Sequence, residues 1–329
     1  MSVRRILAAA GCVAVLSLAA LPHADAARDK TVSITVRAGK SDSPTYALAR
    51  QFSAALALAS NGAFALDVKE SHGSVENVME APKNRPNTIF TASASVIRQA
   101  RRGAKPFKRN PGYYDIRALF PIPFQTLHWV VRQDSGIHAL SDLAGHSVVA
   151  GSKGSVSESL TVAALQTLGI ERKVQLIDID VAGAPAAILG KKISGLALAG
   201  SFPVPMIAQL AKATPIRLLG LKPATISKLL AGDDNLVRQV IPKGTYPGVK
   251  EDIDTIAVPA GTYTTVRMSN AVAYALTKAF WSQVPALTKR NPAWRAMVAD
   301  TLPALGIRLH PGALRYYNEA GIPVPKALR

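Results

Sequence analysis

From residue 31 onward the chain alternates between two apolar spacings. Val32, Ile34 and Val36 stand at every second position with Thr31, Ser33 and Thr35 between them, the period of a half-buried strand. A polar turn covers residues 39–44. Residues 46–61 then carry Leu48, Phe52, Ala55 and Leu56 at helical spacing, and Gly62 stops the run. Phe64, Leu66 and Val68 predict a second strand, residues 74–77 open a short helix, and residues 88–92 form a third strand. A similar unit follows later. Residues 127–132 and 147–150 read as strands, 151–157 as a loop of small residues, and 158–168 as a helix ended by Gly169. Further strands are expected at 175–179, 195–199, 216–221 and 255–258, with a short helix at 185–189. From Ser269 the chain reads as mainly helical, with Ala271, Ala275, Leu276 and Phe280 able to lie inward. This rhythm predicts an α/β protein of two units, each on a mostly parallel sheet with right-handed crossovers. No repeat at solenoid periods and no Gly/Ser linker separates the units, so they are expected to be joined by strands.

The first residues change the picture of where the chain works. Arg4 and Arg5 precede an uncharged run at 6–20, about 15 residues, the length of a secretory h-region and short of a membrane span. Ala24 and Ala26 supply small residues for cleavage, so residues 1–26 are expected to be a signal peptide and the mature protein to be periplasmic. Cys12 is the only cysteine and lies inside the apolar run, away from a lipoprotein position. Disulfides, thiolate metal sites and cysteine nucleophiles are therefore excluded from the mature chain. About 300 residues suffice for a large core without such staples.

The formal charge is +18, and +17 without Arg4, Arg5 and Asp25. That balance favours anionic partners; no nucleic-acid motif is present. Six of the basic residues fall within 98–109, a segment read as a basic loop because Pro106 and Pro111 break a helix there. It is a solvated surface or a patch that attracts anionic lipid. Enzyme signatures are missing: there is no G-x-S-x-G elbow, no H-E-x-x-H and no phosphate-binding glycine fingerprint. His72, His128, His138, His146 and His310 are scattered, without metal-ligand spacing. No catalytic residue, metal or cofactor is expected.

The informative feature occurs twice: a strand, a loop rich in Ser, Thr and Gly, then a helix. The first loop holds Gly39, Ser41, Ser43, Thr45 and Tyr46; the second holds Gly151, Ser152, Gly154, Ser155 and Ser157. Free N–H groups at a helix start, with the helix dipole, favour an anion, and open α/β sheets bind ligands beyond their strand carboxyl ends. Ordinary capping accounts for the same residues taken singly. Arg37 and Lys40 flank the first loop and would attract a carboxylate if they face a cleft, Arg37 bidentately. Glu76 and Glu158, each at a helix start, are explained by the dipole.

Four ordered motifs resemble the TAXI family, the extracytoplasmic solute receptors of TRAP-type transporters. They are Gly73-Ser74-Val75-Glu76-Asn77, the stretch 127–145 beginning Leu127-His128-Trp129-Val130-Val131-Arg132, the turn Gly244-Thr245-Tyr246-Pro247-Gly248, and His310-Pro311-Gly312-Ala313 with Tyr316 and Tyr317. The resemblance implies a two-lobed periplasmic-binding-protein fold of type II, a sodium-coupled membrane permease as partner, and small carboxylate ligands. It places Tyr46 against the ligand body, Thr91 and Ser93 in the loop after the third strand, and Ser155, Ser157 and Glu158 in the second-lobe loop. Gly200 and Ser201 fall where a ligand-facing turn is expected. Arg37, Lys40 and Asp42 replace glycines of the family's first loop, so a glutamate specificity does not carry over.

The expectation is thus a non-enzymatic receptor with one lobe at 28–129 plus 263–329 and another at 130–262, closing on a small anionic solute. A partner of the ABC type, or a sensor kinase, is the alternative. An enzyme on this fold that attaches a cofactor through cysteine is ruled out by composition.

Overall fold

The computed structural model describes residues 31–41, 43–83, 85–153 and 155–329. The expected signal peptide, Cys12, Asp42 and Gly154 lie outside the described residues.

The first unit runs β1 (Val32–Arg37), α1 (Pro44–Ala59), β2 (Phe64–Lys69), α2 (Ser74–Glu80), β3 (Thr88–Ala92) and α3 (Ala94–Arg102). The second follows the long β4 (Ile116–Arg132). It comprises β5 (Ser147–Val149), α4 (Val156–Thr167), β6 (Gln175–Leu176), α5 (Ala184–Leu189) and β7 (Gly195–Gly200). After it come α6 (Pro205–Ala213), β8 (Ile216–Leu218), α7 (Pro223–Gly232) and β9 (Val237–Ile241). The long β10 (Ile253–Thr265), α8 (Asn270–Arg290) and α9 (Pro311–Glu319) complete the chain.

All ten strands join one sheet in the order β2-β1-β3-β10-β4-β7-β5-β6, with β8 added to β4 and β9 to β10. The expectation of a mostly parallel sheet needs correction. β1 pairs in parallel with β2 and β3, and β5 with β6 and β7, but every pairing of β4 and β10 is antiparallel. The sheet is mixed because two long strands running in opposite directions stitch the two parallel sets together.

Pattern reading recovered only 127–132 of β4 and 255–258 of β10. Nearly every residue of β4 is buried, so it shows no period-two signal. It also contains Pro121 and Pro123, which argue against a central strand. Pro123 falls within a register irregularity between Val258 and Ala260 on β10, while Pro121 stays in register opposite Gly261. Residues 98–109 are likewise not all loop: α3 reaches Arg102 before Gly103 ends it at φ 66°. Helices α1 and α4 each start two residues before the expected points. Ser43 and Ser155 accept from the amides of Tyr46 and Glu158 at 3.2 Å, and Pro44 is tolerated at the first helical position.

Burial separates into distinct cores. One gathers residues from Ile34 to Ile122 and from Tyr263 onward around Phe52, Phe120, Phe280 and Trp294, with Phe120 stacked on Phe280 at 4.0 Å between ring centres. Two others cover opposite faces of the β4–β7–β5 region. Leu127, Trp129 and Val131 face α4 and α7, whereas Val130, Leu196 and Leu198 pack with Ile188 and Ile207. Alternate residues of one strand thus feed two layers. The change from the first core to the others falls between Ile122 and Leu127 on β4 and between Ile256 and Tyr263 on β10.

Candidate functional site

The strand registers decide where the loops meet. β3 ends at Ala92, opposite Gly261 of β10, which faces Pro121 of β4. β7 ends at Gly200, opposite Thr126 of β4, which faces Ala257. β1 runs parallel to β3, and β5 parallel to β7. The carboxyl ends of both parallel sets therefore point toward the middle of the β4–β10 ribbon, at residues 121–126 and 257–261. Both expected loops leave from these ends.

The two loops share one construction. Gly39 precedes Ser43 by four residues, and Gly151 precedes Ser155 by four. In each, a β-carbon on the glycine would strike the capping serine or its neighbour: Ser43 Oγ at Gly39, Ser157 and Ser155 Oγ at Gly151. Gly151 also sits at φ 84°, where side chains are strained.

Around the first loop Arg37 and Glu76 are paired. Arg37, at the end of β1, donates to Glu76 Oε1 at 2.6 Å, while Glu76 Oε2 accepts from the His72 amide at 2.8 Å. Arg37 thus meets an internal carboxylate, and its Nε is buried without a partner. Asn77, fully buried, donates through Nδ2 to the carbonyls of Ala38 and Thr91 at 2.9 Å each, and Ser71 Oγ donates to Ala38 O as well. These bonds clamp the ends of β1 and β3 to α2, a role that spacing in the G-S-V-E-N motif did not reveal. Asn77 Oδ1 is left buried and unpartnered. Lys40, Ser41, Glu70, Ser71, His72 and Glu76 line an open cavity of about 460 Å³ here. Tyr46 is half-buried against the first core, with its hydroxyl 3.5 Å from Val68 O, and Thr45 is half-buried on the first turn of α1. Thr91 is buried within β3; Ser93 is buried before α3, with its hydroxyl 3.0 Å from that of Ser95.

The second side is built from hydroxyls and amides, with the carboxylate of Glu158 beside them. Ser157 Oγ accepts from the Ala199 amide at 2.9 Å, tying α4 to β7, and Glu158 is half-buried on the first turn. Beyond Gly200, Ser201 Oγ donates to Phe124 O at 3.0 Å. Ser201, Phe202, Phe124 and Thr126 face Met297 around a cavity of about 50 Å³, so residues of separate cores meet there. Behind this turn His128 Nδ1 lies 2.8 Å from Thr126 O, and its Nε2 lies 3.0 Å from the Tyr246 hydroxyl, whose oxygen accepts from the Val204 amide at 2.8 Å. Complete burial pushes His128 down to about 4, so the ring is neutral. The network needs Nδ1–H on Thr126 O and Tyr246 O–H on Nε2. It joins two motifs that lie far apart in sequence and fixes the 201–204 turn. Reading the motifs singly gave no sign of that pairing.

The groups gathered at these loop ends are hydroxyls, amides, the paired Arg37, and the charged Lys40, Glu70 and Glu158. Among the described residues, no group of His, Cys, Asp and Glu is arranged to hold a metal ion.

The model of the NMT1-like family matches residues 38–321, and the chain belongs to that family. Among solved structures, MatC from Rhodopseudomonas palustris with bound malate is similar at 11% identity and a TM-score of 0.50, over 83% of this chain and 88% of that one. The periplasmic binding protein BugD is similar at 14% identity and a TM-score of 0.50, over 88% of this chain and 98% of that one. The fold is the two-lobed fold of periplasmic binding proteins, α/β in class.

Proposed function

We propose that this NMT1-like protein is a periplasmic receptor that captures a small anionic solute between two lobes and delivers it to a TRAP-type permease, without catalysis. The observation that carries the reading is the convergence of both sets of strand carboxyl ends, each with a serine-capped helix start, on the middle of the β4–β10 ribbon. Helix starts facing one gap from two sides suit a carboxylate. The malate in MatC supports a small dicarboxylate. The TAXI-like motifs favour a TRAP permease over an ABC permease as the partner.

In this reading one lobe is 28–129 plus 263–329 and the other 130–262, and β4 and β10 form the hinge. Residues 1–26 direct export and are removed. Ser41, Ser43, Thr45, Thr91 and Ser93 act from the first lobe, and Ser155, Ser157, Glu158, Gly200 and Ser201 from the second. Tyr46 packs on the body of the solute. Arg37 contributes by exchanging Glu76 for a ligand carboxylate. Closure is a hinge motion that the solute stabilises by binding the closed form better. Arg98, which reaches Asp234 O at 3.2 Å and its carboxylate at 3.5 Å, spans the gap.

Thermal-shift screening of dicarboxylates, keto acids and amino acids tests the reading. A ligand at a hundred times its Kd stabilises by about 2.7 kcal/mol. A screen in which no anion shifts the transition, while the protein unfolds cooperatively, would reject the anionic solute.

A further inference from the structure

The pole of the first unit away from the cleft concentrates charge that solute binding does not use. β4 begins there at Ile116, paired with Thr265 at the end of β10, and β3 begins beside them, its Thr88 carbonyl accepting from Thr264 Oγ1 at 2.8 Å. Four chain segments meet at this end. Arg101 donates to Tyr113 O and Ile116 O, and Arg117 to Tyr114 O and the same Ile116 O at 3.0 Å, so two guanidiniums share one carbonyl. Arg267 donates to Ala81 O and Pro82 O, bringing the turn after β10 onto the segment that carries Lys83 and Arg85. The Arg308 backbone bonds to Ala118. Arg109 folds over Gly103, beside Arg102 and close to Lys105 and Lys108.

The residues 80–88, 99–117, 264–268 and 306–310 together hold ten Lys and Arg against two acids. One of those acids, Glu80, is in an ion pair with Lys83 at 3.3 Å. Arg102, Lys105, Lys108, Arg109 and Arg308 are exposed. The crowding is felt electrostatically: Arg101 and Arg117 are held below their ordinary value by burial first, and then by neighbouring cations, Arg308 among them in both cases. Two apolar side chains stand out of this field, Tyr114 at 60% exposure beneath Arg101 and Val266 at 44%.

We infer that this cationic pole is a docking surface for an anionic lipid bilayer. Lys and Arg near such a surface each contribute on the order of 1 kcal/mol, and a tyrosine ringed by cations is the residue type that settles at headgroup depth. An acidic protein partner would be matched by charge alone. The exposed Tyr114 and Val266 favour lipid. Among the described residues no helix is long and apolar enough to cross a membrane. Docking by this pole leaves the cleft, at the far end of β3 and the middle of the β4–β10 ribbon, open to solute. The inference stands apart from the solute reading, because the pole lies at the Ile116–Thr265 end of that ribbon and the cleft at its middle.

Co-sedimentation of the solute-free protein with phosphatidylcholine vesicles, with and without phosphatidylglycerol, tests it. Binding is expected only with phosphatidylglycerol, and is expected to weaken with salt as the Debye length falls to about 8 Å at physiological ionic strength. Replacing Arg102, Lys105, Lys108 and Arg109 together by Gln should weaken binding by several hundredfold, about fivefold per charge. A control carrying Lys192→Gln, Lys212→Gln, Lys222→Gln and Lys228→Gln, exposed residues of the other unit, should bind like the wild type. An equal loss in both variants, equal binding to neutral vesicles, or binding to polyglutamate but not to anionic vesicles would each overturn the inference. A thermal-shift response to solute in the same preparations separates its failure from that of the receptor reading.

Discussion

The two helix-start loops, 39–43 and 151–155, have the same plan and different surroundings. Each begins with a glycine, ends four residues later in a capping serine, and opens at the carboxyl end of a parallel strand. Around the first stand Arg37, Lys40, Glu70, His72 and Glu76; around the second stand Glu158, the hydroxyls of Ser155 and Ser157, and the Ala199 amide. The first loop is clamped from behind by Asn77, the second side by the neutral His128–Tyr246 pair. The backbone plan is shared, and the side chains around it differ in charge. In the receptor reading proposed above, we expect Arg37 and Lys40 to set the solute's charge, and Ser155 and Ser157 to add hydroxyls beside Glu158.

The largest expected effect concerns the second support. The unfolded chain protonates His128 near 6.5, whereas the folded protein resists to about 4. Between those values only the unfolded state binds the proton. The contribution is complete above 6.5, falls as the pH drops, and is gone below about 4, a loss of about 3 kcal/mol. His310 in the first unit is also buried and held below its ordinary value by burial first, so it acts with the same sign. Urea midpoints across this range check the slope. A wild-type slope no steeper than that of His128→Leu would remove His128 as its source.

The glycines separate the loops more sharply. Gly151→Ala forces a strained backbone and meets the Ser157 Cβ, which cannot swing away, so about 3 kcal/mol is expected. Gly39→Ala meets the Ser43 hydroxyl first, with the Ser43 Cβ at 3.3 Å, and should cost about the value of the cap that the hydroxyl makes, roughly 1 kcal/mol. Equal chemical-denaturation losses for the two would deny the difference in their surroundings.

Smaller effects probe charge. Glu76→Gln releases Arg37 from its carboxylate and should tighten binding of an anion found in the screen, by up to about tenfold, with Ser155→Ala showing no such gain. Calorimetric titration distinguishes them; a weaker Kd in Glu76→Gln would mean that Glu76 orients Arg37 for the ligand. Asp234→Ala removes the exposed partner of Arg98 and should change stability by less than about 1 kcal/mol. If scattering shows an identical envelope with and without the substitution, the pair does not hold the lobes together.

Much of this molecule was legible along the chain. The alternation of β1, β2 and β3, the helical spacing of α1 and the cap at Ser269 are local, set by side-chain period and by a serine's reach to an amide three residues on. The paired loops were legible for the same reason. Helices α6 and α7 and strand β9 gave no clear period and went unread.

The sequence by itself determined the two α/β units, the absence of cysteine from residue 13 onward, the excess of positive charge and the four motifs. Only the tertiary structure decided that β4 and β10 run on through both cores, because strands buried on both faces lose their alternation and an irregular register absorbs Pro123. It also decided that Arg37 faces Glu76, that His128 meets Tyr246, and that arginines from distant segments share one pole. Those are contacts between residues far apart in the chain, and neither periodicity nor composition encodes which of them a fold will bring together.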